Sequence, residues 1–211
     1  EEVEGAVKKL ADQVDCVVVS LHWGKEYLSY PPPSNIAAAH RIVDAGAKVI
    51  LGHHPHVIQG IEHYGNGVIC YSLGNFVFPD YPDQGLFFEG KNHDSILAIF
   101  AIMGQAVEVS EIVPCRFAAQ RIDSLCSEEA TQFLAKLEDL SAAISQPDYS
   151  TFWGKQLKAH ELRRIKRVFR DEVIRAGWKN GAKRMISMGT KNLRSIGRSI
   201  EEILFSSRPN G

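Results

Sequence analysis

Three histidines fall within four residues, His53, His54 and His56, directly after the apolar run Lys48-Val49-Ile50-Leu51 and Gly52. Pro55 separates His54 from His56, and its ring fixes φ, so the loop offers two imidazoles with little freedom left to lose. Clustered imidazoles suit a divalent transition metal (Mn, Zn, Fe or Ni) better than the oxygen-seeking Mg²⁺ or Ca²⁺. A polar surface loop at a strand end is the plain alternative. His22 ends a second apolar run, and Glu26 follows it by four residues as a carboxylate suited to orienting a ligand or moving a proton. Asn75 closes a third such run; its side-chain carbonyl could hydrogen-bond or ligate, and a turn residue after Gly74 is the equal alternative. The metal candidates are therefore His22, His54 and His56, with Glu26 and Asn75 as candidate catalytic groups. A two-metal site would also need a bridging carboxylate, for which the sequence shows no obvious source.

The elements that must position these residues can be read from periodicity. Residues 1–13 have the pattern of an amphipathic helix, with Val3, Ala6, Val7 and Leu10 on one face. Cys16-Val17-Val18-Val19-Ser20-Leu21 fits a strand buried on both faces. Pro31-Pro32-Pro33 holds an extended loop, Ser34 is the expected N-cap of a helix over 35–45, and Gly46 supplies its left-handed stop. The strand at 48–51 follows, completing a βαβ unit. Such a unit implies two parallel strands with a right-handed crossover, and in parallel sheets ligands bind where the carboxyl ends of the strands gather. His22 and the His-Pro-His loop should thus share one edge. Val68-Ile69-Cys70-Tyr71-Ser72 reads as a third strand after the Asn66-Gly67 turn, and delivers Asn75 to the same edge.

Beyond it, residues 79–93 read as a loop able to lie over a site, and Asn92-His93-Asp94 enters a strand. Ser95–Met103 and Ala106–Val113 form a hairpin around Gly104-Gln105, the first strand apolar on both faces as if inside a sandwich. Residues 127–144 form a helix with Ser127 as cap. His40, His63 and His160 read as structural or solvated.

Charge divides the 211-residue chain. Residues 1–150 carry 9 Lys and Arg against 20 Asp and Glu, and residues 151–211 carry 15 against 5. The domain division is accordingly a globular part, 1–150, and a basic helical extension, 151–211. Within 155–205 two apolar stripes alternate with Arg and Lys and are separated at Gly177, which predicts two amphipathic helices. Their basic faces could meet an anionic polymer or a membrane surface, or simply be solvated. Nucleic acid is disfavoured, because no aromatic platform beyond Trp178 is interleaved with the basic residues. Cys16, Cys70, Cys115 and Cys126 have no metal-site spacing, and Cys16 and Cys70 read as buried thiols in strands.

Four ordered segments resemble the capsule-synthesis CapA family of the calcineurin-like metallophosphoesterase superfamily. They are Ser20-Leu21-His22-Trp23-Gly24-Lys25-Glu26-Tyr27, Ala45-Gly46-Ala47, Gly52-His53-His54-Pro55-His56-Val57 and Tyr71-Ser72-Leu73-Gly74-Asn75-Phe76-Val77-Phe78. The resemblance covers about residues 1–113 and implies an αββα metallophosphoesterase-like sandwich, of which this chain is the C-terminal half with a helical extension. It matches His22 to the family's lone ligand histidine and His54 and His56 to its His-x-His pair, with His53 a neighbour. The first Asp, bridging Asp and Asn-His motif of the family's N-terminal half are not in this sequence, so the resemblance implies that missing half as a partner of the domain. It further implies a role in capsule or poly-γ-glutamate production, a hydrolase fold inactive as this fragment, and a cell-envelope or membrane-associated setting, with a cytoplasmic one as alternative. A non-catalytic module that binds an anionic polymer or scaffolds an assembly is the competing reading.

Overall fold

The computed structural model describes residues 2–79, 93–104 and 106–188. The loop expectation for 79–93 and the apolar stripe through Gly189, Leu193, Ile196, Ile200 and Leu204 therefore fall mainly outside the described residues, as does Gln105.

The chain divides into two units, 1–147 and 148–211. In the first, helix α1 (Glu2–Ala11) precedes strand β1 (Val18–His22), helix α2 (Pro33–Asp44) and strand β2 (Val49–His53). Strands β3 (Ile61–Tyr64) and β4 (Gly67–Cys70) complete a four-stranded sheet in the order β1-β2-β4-β3. The predicted βαβ unit is present: β1 and β2 run parallel, Val18 opposite Val49 and His22 opposite His53. β4 adds parallel to β2, and β3 returns antiparallel along β4. Val49, Ile50, Val68 and Ile69 are almost fully buried, as the unbroken β-branched runs of a central parallel pair require. Each such side chain contributes roughly 1.5–3 kcal/mol through burial.

A second, antiparallel sheet contains β5 (Asp94–Met103), β6 (Ala106–Ala118) and β7 (Arg121–Ser124). Its inner face meets the first sheet where Val107, Phe100 and Val109 pack on Val49, Val68 and Cys70. Helix α3 (Ser127–Ile144) packs Phe133, Leu137 and Leu140 against Ile58 and Ile96. It approaches so closely at Gly60 that an added Cβ would stand 2.8 Å from the Leu140 carbonyl oxygen. The fold class is α/β, with helices and two sheets in layers.

Several local expectations are corrected. β5 is buried on one face only: Leu97 and Ile99 are 46% and 42% exposed, because only the inner face of its sheet has a packing layer among the described residues. Ser34 is not a cap; α2 opens at Pro33 with Pro32 in the cap position, and the Pro32 carbonyl accepts from Asn35 and Ile36. Proline at the first helical position has the right φ and no N–H to waste. Cys126, not Ser127, holds the cap position of α3. Cys16 precedes β1 and is half-buried, whereas Cys70 is fully buried, and β1 is not buried on both faces, since Val18, Ser20 and His22 are exposed.

The second unit contains α4 (Tyr149–Met188), one continuous helix. The predicted break at Gly177 does not occur. A single interior glycine costs about 1 kcal/mol relative to alanine, which flanking Ala, Arg and Lys, all strong helix formers, can offset. Lys155, Lys158, Arg163, Arg164, Lys166, Arg167 and Arg170 on α4 are exposed. No helix among the described residues is long and apolar enough to cross a membrane.

Candidate metal centre

The carboxyl ends of β1, β2 and β4 lie together because the three strands are parallel neighbours. β1 ends at His22, β2 at His53, and the chain leaving β4 reaches Asn75 five residues later. The three candidate loops thus start from one sheet edge.

The β2 loop is held in unusual backbone geometry. His54 and His56 have φ of 97° and 57°, and Pro55 between them is buried. Positive φ on a non-glycine residue costs on the order of 1–3 kcal/mol and persists only where surrounding contacts enforce it. The β1 loop supplies such contacts. Gly24 and Tyr27 (φ 91° and 59°) turn the chain back over the His-Pro-His loop, and the Tyr27 amide donates to the Pro55 carbonyl at 2.7 Å. This reversal carries Glu26 onto the histidines.

Glu26, His54 and His56 each present a ligand atom within 4.8 Å of the other two, and among the described residues they form the one cluster of three or more such groups. Ligands about 2.0–2.1 Å from a Zn²⁺ in tetrahedral geometry sit roughly 3.4 Å apart, so small side-chain rotations would close this group on an ion. Two imidazoles and a carboxylate are also an ordinary donor set for Mn, Fe or Ni. The residues fit a single divalent transition metal. His22 stands beside them, its ring centroid 4.6 Å from that of His54 with the planes tilted by 51°. The four ligand candidates come from two loops only.

Asn75 is 4% exposed, and its Oδ1 accepts from His56 Nδ1 at 2.9 Å. A second contact at 3.5 Å runs from Asn75 Nδ2 to the His56 carbonyl. With Nδ1 bonded to Asn75, the ligand atom that His56 offers is Nε2, and the ring orientation is set. Asn75 thus touches a candidate ligand and lies outside the three-residue cluster. His53 takes no part in the cluster; burial and the neighbouring His22 charge lower its pKa, which favours the neutral ring.

Some of the other histidines expected to be structural or solvated have partners elsewhere. His40 Nε2 contacts both oxygens of Glu62 at 3.0 Å and its ring stacks on Tyr64 at 3.7 Å. Asp94 of the Asn-His-Asp tripeptide is committed to Arg116 at 2.7 Å. Sequence reasoning missed two aromatic neighbours of the site. Tyr27 and Phe78 flank His56, with ring centroids 6.0 Å and 4.8 Å away. Their spacing in the chain carries no periodic signal; only their places in the strand-end loops could have marked them.

Comparison with known proteins bears on the same region. Residues 1–80 match the model of the family described as bacterial capsule synthesis protein PGA_cap. Over 100 residues the chain is 45% identical to the capsule biosynthesis protein CapA of Bacillus anthracis, covering 47% of this chain and 23% of that protein. Over 108 residues it is 40% identical to the PGA biosynthesis protein CapA of Bacillus subtilis, covering 51% of this chain and 27% of that protein. A probable polyglutamine synthesis accessory protein of Mycobacterium tuberculosis is 38% identical over 82 residues, covering 38% of this chain and 21% of that protein. The matched stretch therefore spans about a quarter of these relatives' length.

Proposed function

With residues 1–80 assigned to the CapA family of bacterial capsule synthesis proteins, we propose that this chain carries the metal-holding loops of a protein of poly-γ-glutamate capsule production. The reading is of a metallophosphoesterase-type hydrolase fold that holds one divalent transition metal (Mn, Zn, Fe or Ni) through Glu26, His54 and His56, with His22 alongside. The observation that carries it is the convergence of those three ligand atoms within 4.8 Å on the carboxyl edge of a parallel sheet. A bound ion would supply Lewis acidity toward a phosphoryl or carbonyl oxygen and lower the pKa of a coordinated water. The chain's own residues orient that chemistry. Asn75 orients the His56 ring, and the rings of Tyr27 and Phe78 lie near it.

One carboxylate and two imidazoles define one ion, not a bridged pair, so the isolated chain should bind metal and turn over phosphoesters poorly. The exposed basic residues of α4 support contact with an anionic polymer, and the names of the relatives support a cell-envelope setting. Calorimetric titration of Zn²⁺ and Mn²⁺ into wild type and a His54→Ala, His56→Ala double variant tests the site. One ion per wild-type chain and loss of binding in the variant are expected, with wild-type binding weakening on acidification as the imidazoles protonate. Equal affinity in both proteins would refute the assignment, and robust phosphoesterase turnover would refute the single-ion reading.

A further inference from the structure

We infer that Trp23 is a positioning residue that fixes the three strand-end loops relative to one another, so that His22, His54 and Asn75 converge; the inference rests on the metal reading above. Trp23 follows His22 directly, and its backbone amide donates to the His53 carbonyl at 3.0 Å, extending the β1–β2 ladder by one bond. Its side chain then crosses over β2. The indole Nε1–H donates to the Tyr71 carbonyl at 3.0 Å, beyond the end of β4. The two rings stack, with centroids 6.0 Å apart and planes 15° from parallel. One residue of the β1 loop is thereby tied to both the β2 and β4 loops.

The crossing is possible only because residue 52 is glycine. A Cβ there would collide with the Tyr71 carbonyl and stand 2.6 Å from Trp23 Nε1. Beneath the indole, the Leu73 amide donates to the Gly52 carbonyl at 3.1 Å, so the β2 and β4 loops are joined at the same place. Two residues further along β4's exit, Asn75 holds His56. Tyr71 is itself anchored, its hydroxyl donating to Glu62 Oε2 at 2.6 Å and its side chain fully buried. The indole thus rests on a fixed carbonyl. Outer partners that orient metal ligands typically change metal affinity 10–100-fold when removed.

Trp23→Phe keeps an aromatic ring and deletes the N–H donor. Two measurements test the inference, the first without metal. Amide hydrogen exchange at residues 23 and 73 should quicken by roughly fivefold, the equivalent of one lost hydrogen bond, with Trp153→Phe unchanged. In wild type the Trp23 indole proton should exchange roughly tenfold more slowly than in free tryptophan, a readout that needs no variant to fold. The second measurement is Zn²⁺ titration, where Trp23→Phe should bind roughly 10–100-fold more weakly than wild type and Trp153→Phe equally well. Unprotected indole exchange, unchanged amide exchange, or full Zn²⁺ affinity in Trp23→Phe would each overturn the inference. Wild-type protein that takes up no Zn²⁺ would instead overturn the metal reading, and the exchange arm alone would then decide whether Trp23 fixes the loops.

Discussion

Gly52→Ala should be among the most damaging single-methyl changes in the first unit. The new Cβ would run into the Tyr71 carbonyl group and stand 2.6 Å from Trp23 Nε1. The obstacle is chiefly backbone, and it cannot rotate away: the Tyr71 carbonyl accepts the indole, and the Tyr71 amide donates to Gly60. Overpacking a well-filled interior costs about 1–3 kcal/mol, and a fixed backbone neighbour argues for the upper end. At about 2–4 °C per kcal/mol for a chain of this size, 3 kcal/mol lowers the melting temperature by roughly 6–12 °C. Gly5→Ala is the matched reference. It adds the same methyl inside α1 with nothing within 4 Å, and should stabilise by about 0.8–1 kcal/mol through helix propensity alone. Thermal melts followed by circular dichroism compare the two directly. Gly52→Ala melting within a degree of wild type would refute the argument that the indole and the β4 exit pack directly over residue 52.

Glu26→Gln keeps the side chain's size while removing its charge; if the carboxylate is a ligand, Zn²⁺ binding should weaken by an order of magnitude or more in calorimetry, whereas a purely proton-transferring Glu26 would leave affinity untouched. Burial pushes the Cys70 thiol up to about 12 and also raises that of Cys115, while Cys126 is exposed. Labelling with iodoacetamide at pH 8 and peptide mapping should find Cys126 modified first and Cys70 roughly a thousandfold slower, and early modification of Cys70 would contradict its burial. Replacing Arg163, Arg164, Lys166 and Arg167 of α4 with Gln should abolish co-sedimentation with poly-γ-glutamate at low salt. Wild-type binding should fade toward 1 M salt, where the screening length is about 3 Å, and salt-indifferent binding would remove the electrostatic argument.

The parallel core was legible because its signal is local and redundant. Val17-Val18-Val19 and Val49-Ile50-Leu51 are apolar runs rich in β-branched residues, and the helix between β1 and β2 forces their shared direction. That direction alone places His22 and the His-Pro-His loop on one edge. The partnership of Glu26 with His54 and His56 was not legible, because it depends on the chain reversal through Gly24 and a positive φ at Tyr27. No residue pattern announces left-handed tyrosine. Nor was the Trp23 link legible, since it joins residues 48 apart through one side-chain donor. β7 escaped because Arg121-Ile122-Asp123-Ser124 is short and polar, and is a strand only through pairing with β6. The Gly177 break failed for the converse reason: a local breaker was outweighed by the helix formers around it.

Among the described residues β1 lies at the end of the sheet order, paired with β2 alone, whereas β2 is paired on both sides. The candidate ligands are divided along the same line. His22 and Glu26 belong to the outer strand and its exit loop, while His54 and His56 belong to the inner strand. Edge strands open at lower free energy than the core they border. Peeling β1 away would withdraw two donors at once and leave the His-Pro-His pair in place. An ion held by donors from both strands would then need no global unfolding to leave. By linkage, an ion that needs both halves would stabilise their closed pairing by an amount that grows with the logarithm of its free concentration above Kd.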